Sequence, residues 1–145
     1  MGAYRKPLPV PDAISAPYWE ACRRHELILQ RCAACGSFRF PPASMCSSCG
    51  SRKAEWQRAS GRGRVYSWNV VVHPIPRDVY AHDVPYVVAL VELDEGVRIP
   101  TNIVDCDPHR LEADMPVEVV FDDVTDAVTL PKYRPARADA RRAEG

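Results

Sequence analysis

Apolar and polar positions along this chain change period twice. From Pro17 to Glu26 (PYWEACRRHE), Tyr18 and Cys22 are four apart and Trp19 and Cys22 three apart, which gives one apolar helical face. Pro17 suits a first helical position, and Glu20 early with Arg23 and Arg24 late matches the helix dipole. The preceding residues 1–15 are proline-rich and read as an extended arm. Glu26 to Arg31 predicts a strand, Phe38 and Phe40 alternate across a second, and Trp56 lies in a third.

Beyond Gly63 a period of two takes over. Residues 63–72 place Tyr66, Trp68, Val70 and Val72 on one side and Val65, Ser67, Asn69 and Val71 on the other. A thirteen-residue loop runs from His73 to Pro85. Strands follow over 85–93 and 96–105, joined by the turn Asp94-Glu95-Gly96, and then over 115–124 and 127–133. A single helical turn is expected near Asp107-Pro108. Five short strands with a brief helical turn after the third predict an OB-type barrel, with a small sandwich as the alternative. The expected fold is therefore mainly β: an N-terminal helix and a small metal ribbon, then a five-stranded barrel. The boundaries expected are an arm over 1–15, helix plus ribbon over 16–58, barrel over 59–135 and a frayed tail over 136–145.

Composition changes this picture little. The hydrophobic and charged fractions, 46% and 26%, are those of an ordinary globular chain. No apolar run is long enough to span a membrane, and the N-terminus lacks a secretory pattern, so the expected compartment is the cytoplasm. In a reducing compartment, closely spaced cysteine pairs bind metal more often than they form disulfides. Charge is zero overall but uneven. Residues 1–63 carry ten Lys or Arg against four Asp or Glu, whereas residues 64–133 carry five against thirteen. An acidic barrel argues against nucleic acid, the other common ligand of zinc ribbons and OB folds.

The chemistry concentrates in two matched turns, Cys32-Ala33-Ala34-Cys35-Gly36 and Cys46-Ser47-Ser48-Cys49-Gly50. Each aims two sulfurs at one point, and the glycine after the second cysteine permits positive φ. Four thiolates complete a tetrahedron around one structural zinc ion and leave no open position for catalysis. An iron site of rubredoxin type uses the same ligands and stays open at this stage. Cys22 and Cys106 read as small buried hydrophobes. Cys106 and His109 flank Asp107-Pro108, a turn rather than a nucleophile–base pair, and Asp122, Asp123 and Asp126 read as a solvated turn. No catalytic residue emerges.

Taken in order, the helix over 17–26, the four-cysteine ribbon ending FRFPP, the Gly61-x-Gly63 strand entry, the strands over 85–108 and 115–126 and the Leu130-Pro131-Lys132-Tyr133-Arg134-Pro135 ending resemble the zinc-ribbon/OB-fold acyl-CoA-associated family, long catalogued as a domain of unknown function. The resemblance covers about residues 16–135 and carries over the metal ligands Cys32, Cys35, Cys46 and Cys49. It implies a non-catalytic partner of a thiolase-like aldolase or an enoyl-CoA hydratase subunit, acting on acyl-CoA thioesters of bacterial steroid or lipid side-chain degradation. The expected partner-facing surface is the helix, the ribbon and the long loop, with Tyr18, Trp19, Phe40, Arg77 and Tyr80 as contacts. Arg64, Lys132 and Arg134 are candidates to meet acyl-CoA phosphates.

Overall fold

The computed structural model describes residues 3–137 of the 145. Helix α1 spans Ala16–Arg23 and ends before the periodicity predicts. The Glu26 amide donates to Ala21 O at 2.9 Å and the His25 amide to Cys22 O at 2.9 Å, with His25 at φ 58°. This is a Schellman stop with histidine where glycine is usual. The left-handed residue costs about 1 kcal/mol. His25 offsets that cost by stacking on Phe121 at 5.2 Å and by bonding Asp123 at 3.0 Å.

Strands β1 (Ile28–Cys32), β2 (Phe38–Arg39) and β3 (Ala54–Arg58) form a small antiparallel sheet in the order β2-β1-β3. Its buried polar side chain is Gln30, whose Oε1 accepts from Arg39 Nε at 2.9 Å and from the Ala43 amide at 2.8 Å. Burying an amide without such partners costs more than it returns.

The larger unit is a closed barrel of β4 (Arg62–Val71), β5 (Tyr86–Leu93), β6 (Arg98–Ile103), β7 (Pro116–Asp123) and β8 (Thr129–Pro135). Its order β4-β5-β6-β8-β7 closes through β7 back to β4, with β6 and β8 parallel at Ile103 and Tyr133. That is the OB arrangement, and the sandwich alternative is set aside. The turn after β6 is a single 3₁₀ turn, Pro108–Arg110. The expected alternation of β4 breaks at a register shift between Val65 and Ser67: Val65 is buried in phase with Gly63, whereas Tyr66, Ser67 and Trp68 are all exposed. In the long loop, residues Arg77–Tyr80 form a short helix, α2.

The arm is extended but pinned. Arg5 pairs with Asp78 at 2.7 Å and Lys6 with Asp83 at 2.9 Å, both in the long loop. The frayed tail expected over 136–145 lies, for residues 138–145, outside the described residues. Ala136 still donates its amide to Pro116 O at 3.0 Å, so barrel pairing runs one residue past the expected boundary.

One core joins both units. Tyr18, Cys22, Leu27 and Leu29 from the helix and ribbon belong to the same buried cluster as Val65, Val91, Val117 and Tyr133 of the barrel. Tyr133 is wholly buried, yet its hydroxyl has no partner among the described residues. An unpaired buried hydroxyl costs about 1–3 kcal/mol. Tyr133→Phe is therefore expected to leave stability unchanged or raise it by about 1 kcal/mol. Tyr133→Ala is expected to lower it by about 3–5 kcal/mol. Urea unfolding of the two variants checks both, and a Phe variant as unstable as the Ala variant would reveal a bonded hydroxyl.

Candidate metal centre and flanking surfaces

The two cysteine turns are superimposable in their hydrogen bonding. Gly36 donates its amide to Cys32 O and Gly50 to Cys46 O, each at 2.9 Å. The Cys32 amide donates to Ser37 O at 2.8 Å and the Cys46 amide to Ser51 O at 2.9 Å. Gly36 and Gly50 have φ of 78° and 77°, the left-handed backbone that a side chain disfavours. At Gly50 a Cβ would meet nothing within 4 Å, so conformation rather than space requires glycine there.

These turns place four sulfur atoms within 4.8 Å of one another. Cys32 Sγ to Cys49 Sγ is 3.6 Å and Cys35 Sγ to Cys46 Sγ is 3.7 Å. Zinc–sulfur bonds of about 2.3 Å in a tetrahedron require sulfur–sulfur edges of about 3.8 Å, so the cage has the size of the ion. The Ser37 hydroxyl, 3.5 Å from Cys46 Sγ, draws the Cys46 thiol down to about 5, helped by the Cys49 amide. The Cys35 amide likewise lowers Cys32. Cys49 moves the other way, to about 11: the Ser51 amide favours its thiolate, but the neighbouring sulfurs outweigh it. Sulfurs this close cannot all ionise unless a cation neutralises them. The four cysteines hold one metal ion, and the ligand shell they form is closed.

The other predicted residues fare differently. Tyr18 is 2% exposed and so is not a surface contact, which corrects the expectation. It packs edge-on to Trp19 at 5.0 Å and tilted against Phe40 at 5.5 Å, both half-buried. The trio fixes helix to ribbon and barrel because large aromatic rings gain more by filling that junction than by facing water. Arg77 is exposed on α2. Tyr80 is half-buried, 5.7 Å from the Tyr86 ring and beneath Lys6. Lys132 lies in a cleft of ≈ 340 Å³ with Tyr4, Lys6, Tyr80 and Cys106, its ammonium held by Asp122. Arg64 lies in a different cleft, and Arg134 binds Glu118 at 3.0 Å. The three candidate cations therefore do not share one site. Cross-strand pairing decides this, and residue spacing along the chain carries no trace of it.

Cys22 is fully buried as expected, but Cys106 is only half-buried, its thiol donating to Asp107 O at 3.3 Å. Cys106 lies three residues beyond the end of β6 and lines the larger cleft, which leaves it partly open. His109 is exposed. Asp123 is exposed but not merely solvated: the Thr129 hydroxyl and then the His25 ring lower it below the usual carboxylate range. Asp122 is likewise engaged, by Lys132.

Burial pushes the Cys22 thiol up to about 12, and the Tyr18 hydroxyl offsets only part of that rise. An acid whose folded value is raised contributes stability that is complete below its unfolded value, about 8.5, and lost as pH climbs toward the folded one. The slope for one group is about 1.4 kcal/mol per pH unit. Wild-type stability is thus expected to fall more steeply than that of Cys22→Ala above about pH 9. Urea midpoints across that range compare the two, and parallel curves would show that Cys22 ionises freely.

Among the described residues no helix is long and apolar enough to cross a membrane. A family model described as "ChsH2, rubredoxin-like zinc ribbon domain" matches residues 19–55, and one described as "ChsH2, C-terminal OB-fold domain" matches residues 56–122. The probable enoyl-CoA hydratase alpha subunit of Thermomonospora curvata is 42% identical over 131 residues, 90% of this chain and 40% of that protein. The 3-oxo-4,17-pregnadiene-20-carboxyl-CoA hydratase alpha subunit of Mycobacterium tuberculosis is 39% identical over 124 residues, 80% of this chain and 39% of that one. The chain thus spans about two-fifths of the length of these hydratase subunits. A DUF35 domain-containing scaffold protein of Methanothermobacter thermautotrophicus is 41% identical over 100 residues, 68% of this chain and 74% of that protein. Among solved structures, the Ltp2-ChsH2(DUF35) aldolase contains a chain matched over its whole length and over 90% of this one, with TM-score 0.81 and 42% identity. Ribbon, barrel and near full-length likeness agree: the chain belongs to the DUF35 family, in which a rubredoxin-like zinc ribbon precedes an OB-fold barrel.

Proposed function

We propose that this chain is a non-catalytic accessory subunit that binds and supports a thiolase-like aldolase, or a related enoyl-CoA hydratase, acting on acyl-CoA thioesters in the cytoplasm. Steroid or lipid side-chain degradation is the setting, by analogy with the hydratase alpha subunit of M. tuberculosis. The observation that carries this reading is the full-length likeness to the chain of an aldolase assembly, at 42% identity.

The site chemistry supports it. Four cysteine ligands complete a tetrahedron, so the metal in this ribbon stabilises structure and offers no position to a substrate. Cys106 bonds its neighbour's carbonyl, and His73, His82 and His109 are exposed. The partner face proposed is the ribbon with the long loop, where Ile75 is 92% exposed and Val72, just before the loop, 54%. Apolar side chains standing out from a loop are surface that a partner covers. Trp19, Phe40, Arg77 and Tyr80 are its proposed contacts, whereas Tyr18 is buried.

Co-expression with genomic neighbours and isolation of this chain tests the proposal. An acyl-CoA aldolase or hydratase subunit recovered in fixed ratio, with Ile75→Asp weakening the complex, is the expected result. The rival reading is a nucleic-acid-binding module. A chain that comes alone, and binds single-stranded DNA at low salt with steep salt dependence, would establish that instead.

A further inference from the structure

Strand β4 opens with Arg62-Gly63-Arg64, and its pleat sends buried Gly63 inward and exposed Arg62 and Arg64 outward. Pairing sets Arg62 beside Glu118 of β7, Glu118 beside Arg134 of β8, and Arg64 beside Glu92 of β5. The acids in these rows are already engaged. Arg134 Nε donates to Glu118 Oε1 at 3.0 Å and Arg98 Nε to Glu92 Oε2 at 3.0 Å. Arg62, Arg64 and Arg137 make no ion pair among the described residues, yet all three line one cleft of ≈ 180 Å³ whose floor includes Gly63 and Val117. Asp94 is the lining carboxylate not already taken by another side chain. Three arginines thus line one cleft on a barrel that carries a large excess of acid over residues 64–133.

We propose that this cleft binds the phosphoryl groups of a soluble phosphate-bearing ligand. Guanidinium forks match phosphate oxygens in bidentate geometry, which a point charge such as lysine does not. The volume is below the range of about 300–1,000 Å³ typical of pockets that enclose a whole organic ligand. It accommodates one or two phosphoryl groups, with the rest of the ligand outside. Three guanidinium groups offer more donors than one tetrahedral anion can fill, so the cleft favours a diphosphate over a single small anion such as sulfate. Lys132, in the other cleft and held by Asp122, takes no part.

The test uses the chain alone and therefore stands or falls apart from the proposed enzyme partner. Pyrophosphate is titrated by calorimetry at fixed ionic strength, with sulfate as the comparison anion. Pyrophosphate is expected to bind at least about tenfold more tightly than sulfate. Arg62→Ala and Arg64→Ala should each weaken it by about tenfold, the effect of losing one charged hydrogen-bond partner. Both sites are exposed, so the variants should melt as wild type. Arg110→Ala is the control, since Arg110 is exposed, makes no ion pair among the described residues and lies outside the cleft. Pyrophosphate binding that equals sulfate binding, or survives both substitutions, overturns the proposal. So does an Arg62→Ala, Arg64→Ala double variant that loses a co-purifying enzyme subunit while wild type shows no preference for pyrophosphate, because the arginines then serve a protein interface.

Discussion

Stripping the metal is expected to unfold the ribbon and to cost this chain on the order of 10 kcal/mol. The ribbon sheet has strands of five, two and five residues and is served by one eight-residue helix. So small a unit buries too little apolar surface to fold without a staple. Cys32 and Cys46 hold β1 and the second turn at one point, and without an ion their like charges drive the turns apart. Loss should also spread inward. Tyr18, Cys22, Leu27 and Leu29 would leave the core that they share with Tyr133 and Val65, so the barrel melts lower as well. Elemental analysis should find one zinc per chain. A chelator, or Cys46→Ser, should expose Trp19 and Trp56, both half-buried in the folded chain, to water. A melting curve unmoved by chelation, with one zinc retained, would leave the structural role intact but kinetically locked; unmoved with no metal present, it would refute that role.

Gly63→Ala is expected to be the most damaging single methyl addition in the barrel. A Cβ at Gly63 would lie 2.5 Å from Glu92 O and 2.8 Å from Val91 Cγ1. The first contact is with backbone of the paired strand β5, which cannot rotate aside, so β4 and β5 must separate where Gly63 faces Leu93. Overpacking a core costs about 1–3 kcal/mol, and rigid backbone puts this site at the upper end or beyond. Gly96→Ala supplies the comparison. Its φ is 89° but nothing lies within 4 Å, so only conformational strain of about 1–2 kcal/mol applies. Urea unfolding should rank Gly63→Ala well below Gly96→Ala, and the opposite order would place the strain in backbone conformation rather than in strand contact.

Legibility in the sequence followed the range of the interactions. The ribbon ligands were readable because Cys-x-x-Cys-Gly is a local device in which spacing alone aims the sulfurs. The five barrel strands were readable because alternation and turn residues are local too, and strand positions agree within a few residues. The end of α1 was not, since its stop depends on His25 reaching Phe121 and Asp123, about a hundred residues away along the chain. The β4 bulge escaped for a similar reason. It is a property of the pairing with β5, and the sequence of β4 alone gives no sign of it.

Tyr18 shows the same boundary most clearly. An aromatic residue on an amphipathic helix can face a partner or its own fold, and only the docking of α1 onto β8 assigned it to the interior. Arg64, Lys132 and Arg134 looked equivalent as cations near strand ends, yet ladder register sent Lys132 to one cleft and Arg64 to another. By itself, then, the sequence determined the four metal ligands, the order of ribbon and barrel, and the strand count, all encoded in contacts between near neighbours. The tertiary structure alone decided which side chains became core, which cations converge and which loop faces stay open, because those outcomes depend on strand pairing and packing between residues far apart in the chain.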